Sequence, residues 1–329
     1  MEKPKYLITN LVYGSRYTKL FTDQHLKSVL DDTNLPAITD KYDVEYRIFT
    51  DQETLRDLNY HPRVVKLAKT VKVTSEVFGW PEGNVNKYQF RYGLILAMVK
   101  ASINQALAEN ALLTTWVADL VVAKEFFPRI LSRIEQGHGG VFVVPLRSGA
   151  EAVEPNLNKA HGALEDKALC ALGFECLHPL WTAAHWQNPE FTKYPFTLLW
   201  QGSGGLLART FQPTPIVFRP KPEMLNGRCM IDGDIPEHVE NPYWAYDWVD
   251  APVIGCEPLI CYFPPFANRP ATTQFVADYA QNLSPSQVPY LKHSMYYPSK
   301  KDVIIRPDIE KESDQVVFDI IEKYERARA

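Results

Sequence analysis

The chain of 329 residues lacks several features that would assign it to a class at once. It has no block rich in lysine and arginine, and its net charge is −4, which argues against nucleic acid as the main partner. No apolar run approaches about 18 residues, so no transmembrane segment is predicted. The apolar run near the start, in MEKPKYLITNLVYG, is too short for a signal peptide.

Cysteine is scarce, and its spacing fits no zinc-binding pattern. An odd number of cysteines in a large chain is typical of reduced thiols, so we expect a cytoplasmic protein whose cysteines lie in the core. The five cysteines are Cys170, Cys176, Cys229, Cys256 and Cys261.

Hydrophobic residues, in contrast, make up 46% of the chain and aromatic residues 12%, enough for a sizeable core. Proline and tryptophan are concentrated in the second half. We predict one compact domain with an α/β half at residues 1–150 and an irregular half at 151–329, which ends in an amphipathic helix. The aromatic residues of the second half predict either a cleft wall or a core.

Strand and helix patterns alternate along the first half. Apolar runs predict strands at 5–13, 42–51, 111–117 and 139–147, and helical spacing predicts helices at 17–30, 94–110 and 124–137. This alternation predicts a single mixed, mainly parallel sheet flanked by helices.

Two acids stand where predicted strands end. Asp51 closes YRIFTD, and Asp119 follows ALLTTWV inside an otherwise apolar run. Ligands of open α/β sheets bind outside the carboxyl ends of the strands, where an acid can accept a ribose hydroxyl or hold a divalent ion. The alternative is that each acid caps the helix that follows it.

The order of elements resembles the GT-A fold, a Rossmann-related fold of nucleotide-sugar glycosyltransferases. Four stretches carry the resemblance: YLITNLVYGSRYTKLF, YRIFTDQETL, NKYQFRYGLILAMVKASINQAL and WVADLVV. The resemblance spans roughly residues 5 to 147, and extends more loosely from FTLLWQGSGGLLART through IVFRP to MIDGDIP. It implies that Asp51, with Thr9 and Tyr13 of the first strand and turn, holds the nucleoside of a nucleotide-sugar donor.

The same resemblance implies that Asp119 orients the diphosphate of the donor. Many such enzymes have Asp-X-Asp at this strand, whereas this chain has Ala118-Asp119-Leu120. With one acid, the site either holds Mn²⁺ or Mg²⁺ through Asp119 or works without a metal.

A second acidic motif lies in RCMIDGDIPEH, where Asp232 and Asp234 flank a glycine. Carboxylates two residues apart can turn toward one ion, with Glu237 and His238 as further ligands. Asp234 is also a candidate base for the acceptor proton. The alternative is a solvated turn, since Asp-Gly is a strong turn signal.

The stretch LHPLWTAAHW combines two histidines with two tryptophans. A histidine of near-neutral pKa can deprotonate a sugar hydroxyl, and a tryptophan face can stack on a sugar ring. We predict His185 as a catalytic base and His178, Trp181 and Trp186 as acceptor contacts. The alternative is that the histidines are satisfied polar groups of the core.

Glycines cluster in WQGSGGLLAR, which is neither a Walker A loop nor a dinucleotide fingerprint. Gly204 and Gly205 would permit close approach of the backbone to a sugar or diphosphate, with Arg209 supplying charge. A tight turn between strands is the alternative. Arg16, after the first strand, is a further phosphate candidate.

These predictions together favour a glycosyltransferase of glycan biosynthesis, which moves a sugar from a nucleotide-activated donor to a hydroxyl of a glycan or another acceptor. A nucleotidyltransferase or methyltransferase would use the same strand ends, but the first turn holds a single glycine, Gly14. In a third hypothesis the chain is a non-catalytic sugar- or protein-binding module.

Overall fold

The computed structural model describes residues 2–80, 87–202, 204–227, 229–259, 266, 269–298 and 307–328. Contacts between residues divide the chain into two compact units, each built from several segments. Unit 1 consists of Met1–Phe142, Asn156–Glu165 and Pro215–Tyr243, and unit 2 consists of Val143–Pro155, Asp166–Thr214 and Trp244–Ala329. Unit 1 therefore includes a segment of the half that was predicted to be irregular.

The strands are short, as in most globular proteins. In chain order they are β1 (Lys5–Leu11), β2 (Asp43–Asp51), β3 (Lys72–Phe78), β4 (Leu112–Val117), β5 (Leu120–Val122), β6 (Gly140–Val143), β7 (Leu146–Gly149), β8 (Thr197–Gln201), β9 (Gly205–Thr210), β10 (Thr214–Phe218), β11 (Pro242–Trp244), β12 (Val253–Glu257) and β13 (Ser294–Pro298).

The helices range from one turn to more than five. They are α1 (Gly14–Leu20), α2 (Leu26–Val29), α3 (Leu35–Ile38), α4 (Gln52–Asn59), α5 (Pro62–Thr70), α6 (Lys87–Glu109), α7 (Phe126–Glu135), α8 (Ala150–Lys159), α9 (Asp166–Glu175), α10 (Pro179–Ala183), α11 (Thr273–Ala280) and α12 (Pro307–Arg326). A π-helical turn, Phe21–His25, joins α1 to α2. Turns of 3-10 helix occupy Pro222–Leu225, Pro236–His238, Trp248–Asp250 and Pro285–Lys292.

A seven-stranded mixed sheet forms the centre of unit 1. Its strands lie in the order β11-β6-β10-β4-β1-β2-β3. β1 pairs in parallel with β2 and β4, β2 pairs in parallel with β3, and β10 runs antiparallel to β4. Helices α4, α5 and α6 pack on these strands. The predicted α/β class with a mixed, mainly parallel sheet is confirmed.

Burial explains why the central strands form. From Tyr6 to Leu11 every residue of β1 is buried, and β4 is buried from Leu112 to Trp116. A strand that is covered on both faces is apolar throughout instead of alternating. Helix α7 buries the face that carries Phe127, Ile130 and Ile134, as its helical spacing predicts.

In unit 2, β8 and β9 form an antiparallel hairpin, and β13 pairs with β9. Strands β7 and β12 pair in parallel. One hydrophobic core joins the hairpin to α11 and α12 through Trp200, Leu207, Val276 and Ile320. Three aromatic side chains of this core are fully buried: Phe191, Trp200 and Phe211. For these residues the core interpretation holds and the cleft-wall interpretation does not.

Most local predictions match the structure. The predicted run 139–147 divides into β6 and β7, and the predicted helix 17–30 contains the π-helical turn. Cys170, Cys229 and Cys256 are buried thiols and Cys176 is half-buried, while Cys261 lies outside the described residues. In the parts of the chain that the structure describes, every helix is too short or too polar to cross a lipid bilayer.

Candidate functional site

The carboxyl ends of parallel strands in unit 1 bring three of the predicted residues to one level. Leu11 of β1 pairs with Phe49 of β2 on one side and with Val117 of β4 on the other. Tyr13, Asp51 and Asp119 each stand two residues beyond this level. Asp51 is the last residue of β2, whereas Tyr13 and Asp119 follow the ends of β1 and β4. Neighbouring strands are about 4.8 Å apart, so the ends of these three strands lie side by side. The sheet therefore offers an edge with two carboxylates and an aromatic ring between them.

An aromatic group covers the β1–β3 side of this edge. Tyr13 contacts Phe78 and Trp80 edge-on, with ring centroids 5.8 and 5.4 Å apart. Trp80 also lies 5.2 Å from Phe90 near the start of α6, and Tyr17 lies 6.1 Å from Tyr13. The tryptophan is 47% exposed, so part of its ring faces solvent. Exposed aromatic faces of this kind stack on nucleobases and sugars.

Asp51 makes two hydrogen bonds within the chain. Its Oδ1 accepts the backbone N–H of Thr54 at 2.7 Å, which makes it the N-cap of α4. Its Oδ2 accepts the indole N–H of Trp80 at 3.2 Å. The carboxylate is 6% exposed. The helix-capping alternative is therefore confirmed, and the second bond ties the exposed tryptophan to the end of β2.

Two arginines add positive charge to the same edge. The guanidinium of Arg91, on α6, lies 6.0 Å from the centre of the Tyr13 ring. Arg16 is exposed in the first turn of α1, directly after β1. Cations at the end of a parallel sheet favour an anionic ligand. The predicted phosphate role of Arg16 stays a prediction, and Arg91 is a further candidate for it.

Asp119 occupies a two-residue turn between β4 and β5, together with Ala118. It is half-buried at the carboxyl edge of the sheet, where sequence analysis placed it. The next helix, α7, begins only at Phe126, and its N-terminal N–H is capped by Asn34 at 2.8 Å. Helix capping therefore does not explain Asp119.

The prediction for Thr9 is wrong. Its side chain is fully buried in the middle of β1, and its hydroxyl donates to the carbonyl of Thr114 on β4. Thr9 therefore holds two strands together, two residues short of the edge where a ligand can reach.

Asp232 and Asp234 lie in a run of turns before the 3-10 turn Pro236–His238. Asp234 accepts the backbone N–H of Met230 at 3.4 Å, as in the turn alternative. Among the described residues, no three His, Cys, Asp or Glu side chains are arranged to hold a metal ion. Within the described part of the chain, Asp119, Asp232 and Asp234 thus do not form a three-ligand site.

The glycine cluster forms the turn of the β8–β9 hairpin in unit 2. The N–H of Gly202 donates to the carbonyl of Gly205 at 2.8 Å. A Cβ atom at Gly205 would overlap the carbonyl oxygen of Tyr297 on β13, so the glycine permits close strand pairing. Gly204 is also buried. The predicted donor contact of Gly204 and Gly205 is therefore replaced by the turn alternative.

Arg209 is a structural residue. It is 2% exposed and forms an ion pair with Asp314 of α12. Its guanidinium also donates to the hydroxyl of Ser313 and to the carbonyls of Leu291 and Lys292. With its donors occupied inside unit 2, it is not a phosphate ligand.

The predicted acceptor contacts of His178 and Trp181 are wrong because both side chains are buried. His178 caps α10: its Nδ1 accepts the N–H of Leu180 at 3.2 Å, and its Nε2 donates to the carbonyl of Pro258 at 2.8 Å. The ring of Trp181 packs edge-on against Tyr297, at 5.9 Å.

Trp186 is partly buried and stacks on Trp200 with ring centroids 5.8 Å apart, so most of its surface belongs to the core of unit 2. His185 is half-buried and joins the backbone of Leu199 in a parallel bridge. Burial lowers the pKa of His185, which keeps its ring neutral at neutral pH and suits a proton acceptor. The catalytic roles of His185 and Asp234 stay predictions.

Sequence reasoning missed the aromatic half of the edge, namely Phe78, Trp80, Phe90 and Arg91. Phe78 ends β3 and Trp80 follows it, and the sequence KVTSEVF of this strand alternates weakly and was not recognised. Phe90 contacts Trp80, and Arg91 lies near Tyr13. A usable signal was the tryptophan after that alternating run, at a spacing where a third parallel strand would end.

Comparisons with known proteins give little guidance. No protein-family model matches the chain, and no curated protein matches it. One similar solved structure is a protein assigned as a glucose-1-phosphate thymidylyltransferase from Bacillus anthracis, in complex with a sucrose. It shows 14% identity and a TM-score of 0.27 over 45% of this chain and 57% of that one.

Another is mouse xyloside xylosyltransferase 1 in its apo form, with 9% identity and a TM-score of 0.29 over 43% of this chain and 52% of that one. The chain thus spans little more than half the length of either structure. Likeness of this size carries no argument about function.

Proposed function

We propose that the chain is a glycosyltransferase that takes a sugar from a nucleotide-activated donor and transfers it to a hydroxyl of a glycan or another acceptor. The observation that supports this most is that Tyr13, Asp51 and Asp119 each come two residues after the paired residues Leu11, Phe49 and Val117, at the carboxyl ends of three adjacent parallel strands. Open α/β sheets bind nucleotides at this edge. The three residues belong to stretches on which the resemblance to GT-A enzymes rests.

The nucleoside would bind on the β1–β3 side of the edge. The exposed part of the Trp80 ring would stack on the base. Asp51 fixes the orientation of this ring by accepting the indole N–H at 3.2 Å. Stacking on one aromatic side chain contributes about 1–3 kcal/mol per base. Asp51 thus acts mainly by orienting Trp80, which revises the direct ribose contact that its position suggested.

The diphosphate would extend from the base toward β4, passing the end of β1. Arg91 beside Tyr13, and Arg16 in the first turn of α1, supply positive charge along that path. These charges offset the two carboxylates at the same edge, which would otherwise repel a diphosphate.

Asp119 would orient the sugar diphosphate at the far end of this path. Magnesium is usually held by one or two carboxylates together with substrate phosphates, so one acid fits a metal shared with the donor better than a site built only by protein. When bound there, the ion would neutralise charge on the departing nucleoside diphosphate. Asp119 contributes its negative charge and a fixed position.

The acceptor proton needs a base. His185, kept neutral by burial, and Asp234 are the candidates that sequence analysis supplied. The same measurement tests both. His185→Gln or Asp234→Asn should lower kcat and leave the affinity for the donor unchanged.

The donor assignment can be tested by thermal shift and calorimetry with UDP, GDP, CMP, ATP and S-adenosylmethionine, each with and without MnCl₂. We expect a nucleoside diphosphate to stabilise the protein. Trp80→Leu should then weaken its binding by about 5- to 100-fold, the equivalent of losing one stacked base.

Two matched variants sharpen the result. Trp80→Phe keeps a ring but loses the N–H, and should keep much of the affinity. Tyr60→Leu removes another exposed aromatic residue, at the C-terminal end of α4, and should change nothing. Stabilisation by ATP or S-adenosylmethionine alone would replace the proposal with another transferase class. No response to any nucleotide would favour a binding module.

A further inference from the structure

A buried polar chain lies directly behind the Asp119 turn. It begins at Asn10 in β1 and passes through Tyr46 in β2 to His25, the last residue of the π-helical turn; all three side chains are fully buried. The amide of Asn10 donates to the Tyr46 hydroxyl at 3.2 Å. That hydroxyl lies 2.8 Å from His25 Nε2. The other ring nitrogen, Nδ1, lies 2.7 Å from the carbonyl oxygen of Leu120, the residue after Asp119.

The direction of these hydrogen bonds follows from their end groups. A carbonyl oxygen only accepts, so His25 Nδ1 carries the hydrogen that is donated to Leu120. Burial lowers the pKa of His25 to about 4, so the ring is neutral near pH 7 and Nε2 accepts from the Tyr46 hydroxyl. The ring plane is fixed as well, because it stacks on Phe21 at 5.4 Å and meets Trp116 edge-on at 5.3 Å.

Further ties hold the same segment on both sides of the acid. Before it, β4 is paired with β1 up to Val117. After it, Ser28 of α2 accepts the N–H of Val122 at 3.3 Å, and the amide of Asn34 donates to the carbonyl of Ala123 at 2.9 Å. Among these contacts, the His25 bond is the one made by a residue directly next to Asp119 in sequence, whereas the Ser28 and Asn34 bonds lie three and four residues after it.

We infer that His25 is a positioning residue, which holds the Asp119 turn at the sheet edge through the Leu120 carbonyl. The buried ring is hydrogen-bonded at both nitrogens, so its bond to Leu120 restricts the position of that carbonyl. Because Asp119 precedes Leu120 directly, the position of its carboxylate is restricted too. π-helical turns inside helices occur frequently at functional sites, and here the turn delivers the ring. The part of this inference that concerns donor binding rests on the proposed function.

Two substitutions separate the ring nitrogens. His25→Asn keeps an amide N–H near the Nδ1 position and so retains the donor to Leu120. His25→Gln places its amide near the Nε2 position, which retains a partner for Tyr46 but leaves Leu120 without its donor. Ser28→Ala is the matched control, because it removes a buried tie to β5 at Val122 instead.

Hydrogen exchange of the segment around residues 117–122 measures the turn without any ligand. We expect faster exchange in His25→Gln and near wild-type exchange in His25→Asn, at similar losses of thermal stability. With UDP and GDP in excess MnCl₂, His25→Gln should bind about 10-fold more weakly or worse, as when an outer partner of a ligating group is removed. Ser28→Ala should bind as wild type does.

If His25→Gln does not fold, Tyr46→Phe serves as the second variant, because it removes the donor to Nε2 while keeping the ring of residue 46. It should raise exchange in the same segment, with a smaller loss of affinity. Wild-type exchange in whichever of His25→Gln and Tyr46→Phe folds would overturn the inference. Nucleotide binding that Asp119→Asn weakens and His25→Gln does not would overturn its donor part alone. A wild-type protein that binds no nucleotide contradicts the proposed function, whereas the exchange result still decides whether His25 holds the turn.

Discussion

The fully buried ring of His25 makes the stability of unit 1 depend on pH. The recorded polar partners of the ring are Asn10, the Tyr46 hydroxyl and the Leu120 carbonyl, so no charged partner compensates a proton on it. Burial lowers its pKa from 6.5 to about 4. The unfolded chain therefore binds this proton more readily than the folded one does between these two values.

The sign of the effect follows directly. Above about pH 6.5 the ring is neutral in both states, and it does not lower the free energy of unfolding. As the pH falls toward 4, the unfolded state binds a proton that the folded state does not bind, so the free energy of unfolding decreases. One pKa unit corresponds to about 1.4 kcal/mol, so the full penalty is about 3 kcal/mol, of which about 2 kcal/mol is present by about pH 5.

Other histidines titrate in the same window, because burial also lowers the pKa of His61, His185 and His293. The slope of wild-type stability alone is therefore not diagnostic. The informative quantity is the difference between wild type and His25→Asn, which cannot titrate. Urea unfolding at a series of pH values should show the variant less stable at pH 7 and gaining on wild type as the pH falls.

Nitrogen-15 NMR of labelled histidine gives an independent check, with the His25 signals assigned from the same variant. We expect a neutral ring with its hydrogen on Nδ1, which does not titrate above about pH 5. A stability difference that stays constant with pH, or a ring that titrates near its ordinary value, would refute the reasoning.

Three further substitutions test structural roles. Gly205→Ala forces a methyl group onto the carbonyl of Tyr297, and should cost about 1–3 kcal/mol in urea unfolding, whereas Gly79→Ala, which meets open space, should cost less. Arg209→Met keeps the buried stem but removes the ion pair; because Asp314 is mostly exposed, we expect a loss of only about 2 kcal/mol, measured by thermal unfolding. Asp51→Ala removes the cap of α4, so it should cost about 1 kcal/mol and shift the tryptophan fluorescence.

The sheet of unit 1 was predictable where single elements carry a strong local pattern. The mostly apolar sequence of β1 and the acid that ends β2 identify buried parallel strands and the edge that they share. Strand β3 was missed because it lies at the end of the described sheet, where each of its residues is exposed or half-buried. An edge strand has little apolar surface to show in its sequence.

The return of β10 to the sheet was not predictable from local sequence. Phe218 pairs with Leu113 across more than a hundred residues of chain, and a pairing of that range leaves no periodic signal. The same limit applies to the candidate site: Tyr13, Asp51 and Asp119 were found because each ends a recognisable strand. Trp80 was not found, because it follows the strand that was missed.

Local rules also explain the wrong predictions in unit 2. His178 precedes Pro179, and proline at the first position of a helix marks the residue before it as a cap. Gly202 and Gly205 flank the turn of a hairpin between two apolar strands, and this spacing is typical of tight turns. In both cases the residue type is one that can bind ligands, but the local backbone needs it as a cap or a turn. Its burial excludes contact with a ligand.

Asp119 shows the opposite relation between burial and function. Its neighbours Trp116, Leu120 and Val122 are buried, and the apolar run around it allows His25 to hold the turn from the interior of unit 1. A turn in a polar loop would offer the same carboxylate with far more freedom. In the proposed role of orienting a diphosphate, an acid gains from being fixed before the ligand arrives, because less conformational entropy is then lost on binding. An apolar sequence around the acid is therefore what we expect if Asp119 orients a ligand.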